Sequence, residues 1–427
     1  MELLRKLRAR QEAQGPIRVG IVGCGQMGSG LAHATSAIEG MRVAAIADID
    51  AAKAIATFID LGHDRGDIVV TDLEGAAGDA LAAGRPLVTS DPLLLTRLEL
   101  LEANVEATGV PDVGARVAYE SIAARKPVIM LNVETDVTVG LYLSSLARKV
   151  GSVYTVASGD EPGVLKMLHE QAVLMGFEVV CLGKGKNNVI DFEATPDSCA
   201  EEAASKGMNP KMLAAFKDGT KTMVEMAAVS NATGLLPDVP GMHGPNVDIG
   251  DLETVFVPSA DGGILSRRGC VDYSTGPIAP GVFAVVHSDD ARIRKDMKFI
   301  TRADGPYYLH LRPYHLCDLE TPQSIAEAVL LGEVTVAAEG RYAEVAGVAK
   351  RDIRAGEKVG GIGGRDYFGR IYTHEQLVRD RLVPVGIAEA GVARRDIAKG
   401  TPLTTDSFAI DDTTFVADLR RRQDAMA

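Results

Sequence analysis

The chain has 427 residues, 46% of them hydrophobic and 24% charged, enough for two or three domains of ordinary size. Its 45 Lys and Arg against 58 Asp and Glu give a net charge of −13, which repels a phosphate backbone and excludes a general nucleic-acid binder. The five cysteines (Cys24, Cys181, Cys199, Cys270, Cys317) form no CxxC pair, which argues against a disulfide framework or structural zinc and suits a reducing compartment.

MELLRKLRARQEAQG spaces apolar residues as a helix does, with basic residues between them. It reads as an amphipathic helix packed on the body or on a partner subunit, not as a signal peptide. No apolar run reaches the length of a membrane span. The expected setting is therefore cytoplasmic, with a small-molecule substrate, no nucleic acid, no membrane, and a homo-oligomeric assembly. IRVGIV from Ile17 reads as a strand, followed by a glycine turn, a helix in GLAHATSAIEG and a second strand in MRVAAIAD. RPLVTSD, ANVEATG and KPVIMLNV continue the alternation that marks a doubly wound parallel sheet.

VYTVASGDEPG reads as strand and loop, and VLKMLHEQAVLMGF as a helix. FEVVCLGKG, ETVFVPSA and GVFAVVHS read as strands of an α+β substrate domain, and ETPQSIAEAVLLG as a helix after it. VAKRDIRAGEKV from Val348 and VARRDIAKGTPL from Val392 are near-duplicates that suit paired turns in a small β-rich domain. DLRRRQDAMA closes the chain as a frayed or interfacial tail. The expected fold class is α/β: a Rossmann domain over 1–156, a substrate and catalytic domain over 157–305, a helical return segment over 306–339, and a β-rich domain over 340–427.

Gly23, Gly25 and Gly28 fit G-x-G-x-x-G in the strand–turn–helix context that gives the motif meaning. Gly23 makes the tight turn, Gly25 admits a pyrophosphate close to the backbone, and Gly28 lets helix and strand pack closely. Gln26 and Met27 lie at the start of the helix, whose free N–H groups would receive the pyrophosphate. Asp48, 20 residues beyond Gly28, would bind the adenosine ribose and repel a 2′-phosphate, favouring NAD, although Arg42 is a candidate to rescue NADP. Thr108, Gly109 and Asn132 follow the ends of later strands and are expected to border the cofactor.

Hydride transfer needs a proton donor or acceptor and charges that position the substrate. Among the histidines, His33 and His169 read as structural, while His315 is divided between structure and an approach to the nicotinamide. Asp218, Lys221 and Glu225, spaced i, i+3, i+7, are expected on one helical face lining a cleft; the alternative is a solvated face. Lys184 and Lys186 read as a loop after a strand, holding a substrate carboxylate or phosphate, or as an exposed basic turn. Glu134 reads as a proton acceptor, a metal ligand or a helix cap. A divalent ion held by Glu134 or Glu225 stays open.

LNVETDV from Leu131, SGDEPG from Ser158, GKG from Gly183, MNPKM from Met208, DGTKTMVEMAAVSNATGL from Asp218 and RPYHLCDLE from Arg312 carry a family likeness. With the AKRDIRAGE and ARRDIAKGT pair, the chain resembles the homoserine dehydrogenase-like superfamily, in a branch with a C-terminal SAF domain. The best-known members of that branch are the 1-deoxy-D-xylulose 5-phosphate reductoisomerase-like enzymes, which use NADPH in isoprenoid precursor synthesis. The resemblance implies Lys221 as proton donor or acceptor and Asp218 as the group orienting the substrate. Val133 stands where homoserine dehydrogenases carry lysine, which points away from an amino-acid substrate, and Asp48 sits poorly with strict NADPH use. The expected activity is an NAD(P)-dependent oxidation or reduction of a small hydroxy or keto compound, with reductoisomerase-like chemistry the most specific form. The rivals are a sugar-acid or polyol dehydrogenase and a non-catalytic nucleotide sensor.

Overall fold

A computed structural model describes residues 2–426. It divides into two compact units: Met1–Asp160 with Leu316–Ala337 and Thr413–Ala427, and Glu161–His315 with Ala338–Asp412.

The first unit is built on a seven-stranded sheet in the order β3-β4-β2-β1-β5-β6-β7. Its strands are β1 (Ile17–Val22), β2 (Met41–Ala47), β3 (Val69–Val70), β4 (Leu87–Thr89), β5 (Ala103–Glu106), β6 (Val128–Met130) and β7 (Tyr154–Val156). Every pairing among them is parallel. Strands that are apolar but for one residue, such as IRVGIV, suit this arrangement, because helices cover both faces of a parallel sheet. The strand order reverses between β1 and β5, where such folds bind ligands. The leading helix, Glu2–Gln14, buries Leu7 in the core of this unit beside Ile17, Leu31 and Met41.

The second unit holds a mixed sheet in the order β12-β11-β8-β10-β9. Its strands are β8 (Glu178–Gly185), β9 (Leu236–Pro237), β10 (Cys270–Ser274), β11 (Val282–His287) and β12 (Tyr307–Arg312). The helices Glu161–Leu174 and Thr220–Thr233 pack on this sheet and on each other. A separate apolar cluster gathers Val180, Phe256, Leu265, Phe283 and Val285. The C-terminal part of the unit adds two antiparallel pairs, β13 (Ala343–Ala349) with β14 (Tyr367–Thr373) and β15 (Val392–Ala393) with β16 (Phe408–Ala409).

The near-duplication closes on itself. Ile353 and Ile397 exchange backbone hydrogen bonds of 2.9 and 2.8 Å. Asp352 accepts the Lys399 N–H and Asp396 accepts the Ala355 N–H, each at 2.8 Å. The two copies therefore hold each other through equivalent bonds.

Three expectations change. ETVFVPSA is no strand: Leu252–Val255 is a short helix and Ser259–Asp261 a single 3-10 turn. Leu252 and Phe256, four residues apart, are buried on one side, and Pro258 lacks the N–H a ladder needs. The segment 306–339 is not wholly helical, because β12 precedes the helix Cys317–Leu330. The tail is packed rather than frayed: Phe415–Asp424 is a helix, and Gln423 donates to the Thr138 carbonyl at 3.0 Å.

Candidate functional site

In the first unit, the glycine turn after β1 has the room its sequence promises. Gly23 has φ +92°, the left-handed region that glycine enters without strain. A Cβ on Gly28 would stand 1.9 Å from the Gly23 carbonyl oxygen, so only glycine lets the helix Gln26–Ser36 start there. A Cβ on Gly25 would meet nothing within 4 Å, so the backbone is open to a close approach. Gln26 and Met27 form the first turn of that helix. Asp48 Oδ2 accepts the Cys24 N–H at 2.6 Å, and Oδ1 accepts the Asp50 N–H at 2.8 Å. The carboxylate thus ties the end of β2 to the turn. Arg42, the candidate rescuer of NADP, donates to the Gly84 carbonyl instead. The turn fits a dinucleotide pyrophosphate, on the evidence of an open Gly25 and a helix start that no side chain caps.

Beside the turn lies a residue that sequence reading passed over. Glu106, the last residue of β5, is fully buried, and burial pushes its carboxyl up to about 7 against the opposing hydrogen bonds of Thr108 and Asn132. Its Oε1 accepts the Thr108 N–H at 3.0 Å and the Thr108 hydroxyl. That fixes the Thr108–Gly109 loop, whose backbone passes about 3 Å from where a Gly23 Cβ would stand. Asn132 caps the helix Val133–Val150 by accepting the Thr135 N–H at 3.1 Å, and it donates to the Val110 carbonyl. The capping role considered for Glu134 therefore falls to Asn132. Glu134 is buried in the first turn of that helix.

The second unit gathers the charged residues. Lys184 lies inside β8, not on a loop, and its ammonium bridges Glu161 and Glu225. The three side chains are buried. Burial alone would lower the Lys184 pKa; the two carboxylates outweigh it and hold it above the ordinary lysine value. Glu225 is pushed up by burial and by its neighbour Glu161, against Lys184 and Lys221. His315 Nε2 stands 3.2 Å from Glu161.

Lys186, just beyond β8, is the titratable lysine of the group. Burial first, then the adjacent Lys184 ammonium, hold it down at about 8, while Glu225 and Asp218 pull the other way. Its Nζ donates to the Phe216 carbonyl at 2.7 Å and to Asn188 Oδ1 at 3.0 Å. A lysine of this kind carries a proton at neutral pH and can release it.

Asp218, Lys221 and Glu225 do not share one helical face. Gly219, at φ +84°, breaks the chain between the helices Pro210–Lys217 and Thr220–Thr233. Asp218 precedes the second helix and accepts the Thr220 N–H at 2.8 Å. It is fully buried and paired with Lys350 at 2.7 Å, so it cannot orient a substrate directly. The solvated-face alternative also fails, since Asp218 and Glu225 are both buried. Lys221, on the first turn of the helix, is half-buried.

A dyad in the same unit was not anticipated. His243 Nδ1 lies 2.8 Å from Asp272 Oδ2, and Asp272 also accepts the backbone N–H groups of His243, Gly244 and Tyr273. That hydrogen bond raises the histidine pKa. No spacing in MHGP announces such a partner.

Residues 159–321 match the family model described as oxidoreductase DRL, catalytic domain. On this match the chain is an oxidoreductase. The matched span contains Glu161, Lys184, Lys186, Asp218, Lys221, Glu225 and His315. No curated protein matches the chain. Among solved structures, it is similar to a probable dehydrogenase from Thermotoga maritima, with 11% identity over 75% of this chain and 91% of that one, at TM-score 0.41. A putative myo-inositol dehydrogenase from Sinorhizobium meliloti 1021 gives 13% identity over 74% and 90%, at TM-score 0.40. A DOX-P reductoisomerase in complex with magnesium gives 13% identity over 74% and 70%, at TM-score 0.38. At these values the likenesses decide nothing about the reaction. No helix among the described residues is long and apolar enough to cross a membrane.

Proposed function

We propose that the chain transfers a hydride between a nicotinamide dinucleotide and a small polar hydroxy or keto compound bearing an anionic group. The observation that carries this reading is Lys186, a buried lysine held at about 8 beside the carboxylate-paired Lys184, inside the oxidoreductase match. Gly23, Gly25, Gln26, Met27, Gly28 and Asp48 would hold the dinucleotide, with Thr108 and Gly109 beside them, and Asn132 supporting the loop end. When bound, the dinucleotide supplies or accepts the hydride.

The remaining work falls to side chains. Lys186 carries the proton given to or taken from the reacting oxygen, because its pKa lies close enough to neutrality to serve in both directions. Lys221 offers a charge to the substrate anion and is the second candidate for the proton. Glu161 and Glu225 keep Lys184 charged, and Lys184 in turn keeps Lys186 low. His315 is supported as an active-site group by its contact with Glu161.

The finer resemblance, to reductoisomerase-like enzymes of the homoserine dehydrogenase-like superfamily with a SAF domain, remains part of this proposal and implies a phosphorylated ketose. Dehydrogenation of a sugar acid without rearrangement is the second form. NAD is favoured by Asp48 and NADPH by the resemblance. Of the two considered metal ligands, Glu134 belongs to the first unit, while Glu225 has a carboxylate oxygen within 4.8 Å of one of Glu161, where a divalent ion would compete with Lys184. No step is therefore assigned to a divalent ion. A non-catalytic sensor is disfavoured by the catalytic-domain match.

The test is a panel of hydroxy acids, polyols and phosphorylated ketoses, followed by nicotinamide absorbance with both cofactors. Turnover confined to anionic compounds is expected. Equal turnover of uncharged polyols would remove the anion, and absence of any hydride transfer would remove the reaction.

A further inference from the structure

Shortly after β9 the chain turns sharply around His243. Gly241, Met242 and Gly244 have φ of +86°, +63° and +58°. Met242 is not a glycine, so its left-handed backbone is strained and must be held by its surroundings. Asp272 of β10 supplies part of the hold. It accepts the backbone N–H groups of His243 at 3.1 Å and Gly244 at 3.0 Å, and its Oδ2 lies 2.8 Å from His243 Nδ1. On the other side of the ring, His243 Nε2 stands 3.5 Å from Asp238 Oδ2. Asp238 is itself fixed, accepting the Ser266 N–H at 2.9 Å and the Ser266 hydroxyl. Both carboxylates are buried, and the imidazole between them is 23% exposed.

Beyond His243 the turn clasps the end of β10. The Pro245 carbonyl accepts the Thr275 N–H at 3.0 Å and the Ser274 hydroxyl at 2.9 Å, and the Val247 N–H donates to Ser274 Oγ at 3.3 Å. The Ser274 carbonyl in turn accepts the Lys186 N–H at 2.8 Å. On its other side, the turn donates the Gly241 N–H to the Ile371 carbonyl of β14 at 2.9 Å. One turn therefore ties β10 to β14 and borders the strand end that carries Lys186.

We propose that His243 is a proton-operated latch: as an imidazolium it bridges Asp238 and Asp272 and keeps the turn from Gly241 to Val247 closed on β10, and as a neutral ring it lets that turn open. A neutral imidazole has one N–H and serves one carboxylate, while its other nitrogen presents a lone pair to the second. The hydrogen bond to Asp272 raises the histidine pKa against burial, and the charges of Asp272 and Asp238 add to it. The latch is therefore fully present below about pH 6.5, the ordinary histidine value, and is lost as pH rises through the higher folded midpoint. The other titratable groups facing the turn keep their state over that range. A Cβ on Gly244 would run into the Tyr273 ring, and burial, then Asp272, push that phenol up to about 12. Cys270 and Cys181, which feel both carboxylates, are raised by burial, Cys270 to about 12. Arg370 of β14 lies along Gly241 and is a permanent cation.

The experiment measures amide hydrogen exchange on the full chain between pH 6 and 9, each rate divided by its intrinsic rate at that pH. The His243 midpoint is read in parallel from its imidazole ¹³Cε1 resonance, assigned with His243→Gln. Protection over residues 241–247 is expected to fall severalfold as pH rises through that midpoint, while β8 keeps its own protection. In His243→Gln the turn should be weakly protected at every pH. In Asp238→Asn the imidazolium loses one of its two anionic partners, so the opening should move to lower pH. Protection unchanged across the midpoint, a fall shared by β8, or the same pH profile in His243→Gln would each overturn the proposal. Should His243→Gln fail to fold, the unaltered protein and Asp238→Asn decide, and an opening that does not move with the imidazole midpoint overturns it. None of these readings depends on turnover, so the latch stands or falls apart from the proposed reaction.

Discussion

Lys184 of β8 and Glu225 of the helix Thr220–Thr233 meet ammonium against carboxylate, with both side chains out of water. Glu161, from the helix Glu161–Leu174, closes the pair from the other side. A buried cation between two carboxylates is costly to remove, because its partners keep their desolvation penalty and lose their compensation. Lys184→Met is therefore expected to cost about 3–5 kcal/mol of stability. Lys186→Met should cost less, since that ammonium bonds a carbonyl and an amide rather than a carboxylate. Urea unfolding of both variants at pH 7 compares them; equal losses would mean that Lys184 is not the keystone of the cluster.

Lys186 and Lys221 should separate in kinetics. Lys186→Met is expected to lower kcat by about 100-fold or more, the usual scale for losing a positioned proton carrier, with dinucleotide affinity kept. It should also abolish the pH dependence expected of the unaltered enzyme near 8. Lys221→Ala should act mainly on KM if that residue binds the substrate anion, and on kcat if it moves the proton. Full kinetics of the two variants between pH 6 and 10 distinguish the roles, and an unchanged kcat in Lys186→Met would return the proton to Lys221.

Glu106 has a stability consequence of definite sign. Its folded pKa of about 7 lies above the ordinary carboxyl value, so the native state holds a proton that the unfolded state has already lost. Its contribution is fully present below about pH 4.3, declines as pH rises, and is gone above about 7. Glu106→Gln keeps an oxygen to accept the Thr108 N–H and cannot ionise. The unaltered protein is expected to lose stability between pH 5 and 8 relative to this variant, by an amount on the order of 3 kcal/mol. Parallel denaturation curves at both pH values would show that Glu106 does not hold the proton.

The parallel sheet and its glycine turn were readable because both are local signals. Period and turn chemistry in IRVGIVGCGQMG need no distant partner. The helix-face argument at Asp218 failed for the opposite reason. Regular spacing was extended through Gly219, whose positive φ ends one helix before the next begins. The partner that defines Asp218 is Lys350, 132 positions away, and no periodicity connects them. Glu106 was overlooked although the segment containing it was recognised. A carboxylate at a strand end looks solvated in sequence, and only the packing of Thr108 and Asn132 around it reveals its burial. The resemblance assigned roles to Asp218 and Lys221 alone, and the two carboxylates that hold Lys184 lie 23 and 41 positions from it, beyond the reach of local patterns.

Asp48 joins two tasks that one substitution will expose. Its carboxylate stands at the end of β2, where it would meet the adenosine ribose, and it already holds the Cys24 N–H inside the glycine turn. Asp48→Ala removes the charge that repels a 2′-phosphate, so preference should move toward NADP. It also frees the Cys24 N–H and loosens the turn, so affinity for NAD should fall in absolute terms. Asp48→Asn separates the effects, because the amide oxygen can still accept that hydrogen bond while the charge is gone. The chain contains no tryptophan, so binding is best followed by calorimetry or by the emission of the reduced nicotinamide itself. The expected pattern is a shifted NAD-to-NADP ratio in both variants, with the larger loss of NAD affinity in Asp48→Ala. A ratio unchanged in both would assign cofactor choice to another residue and leave Asp48 only the turn.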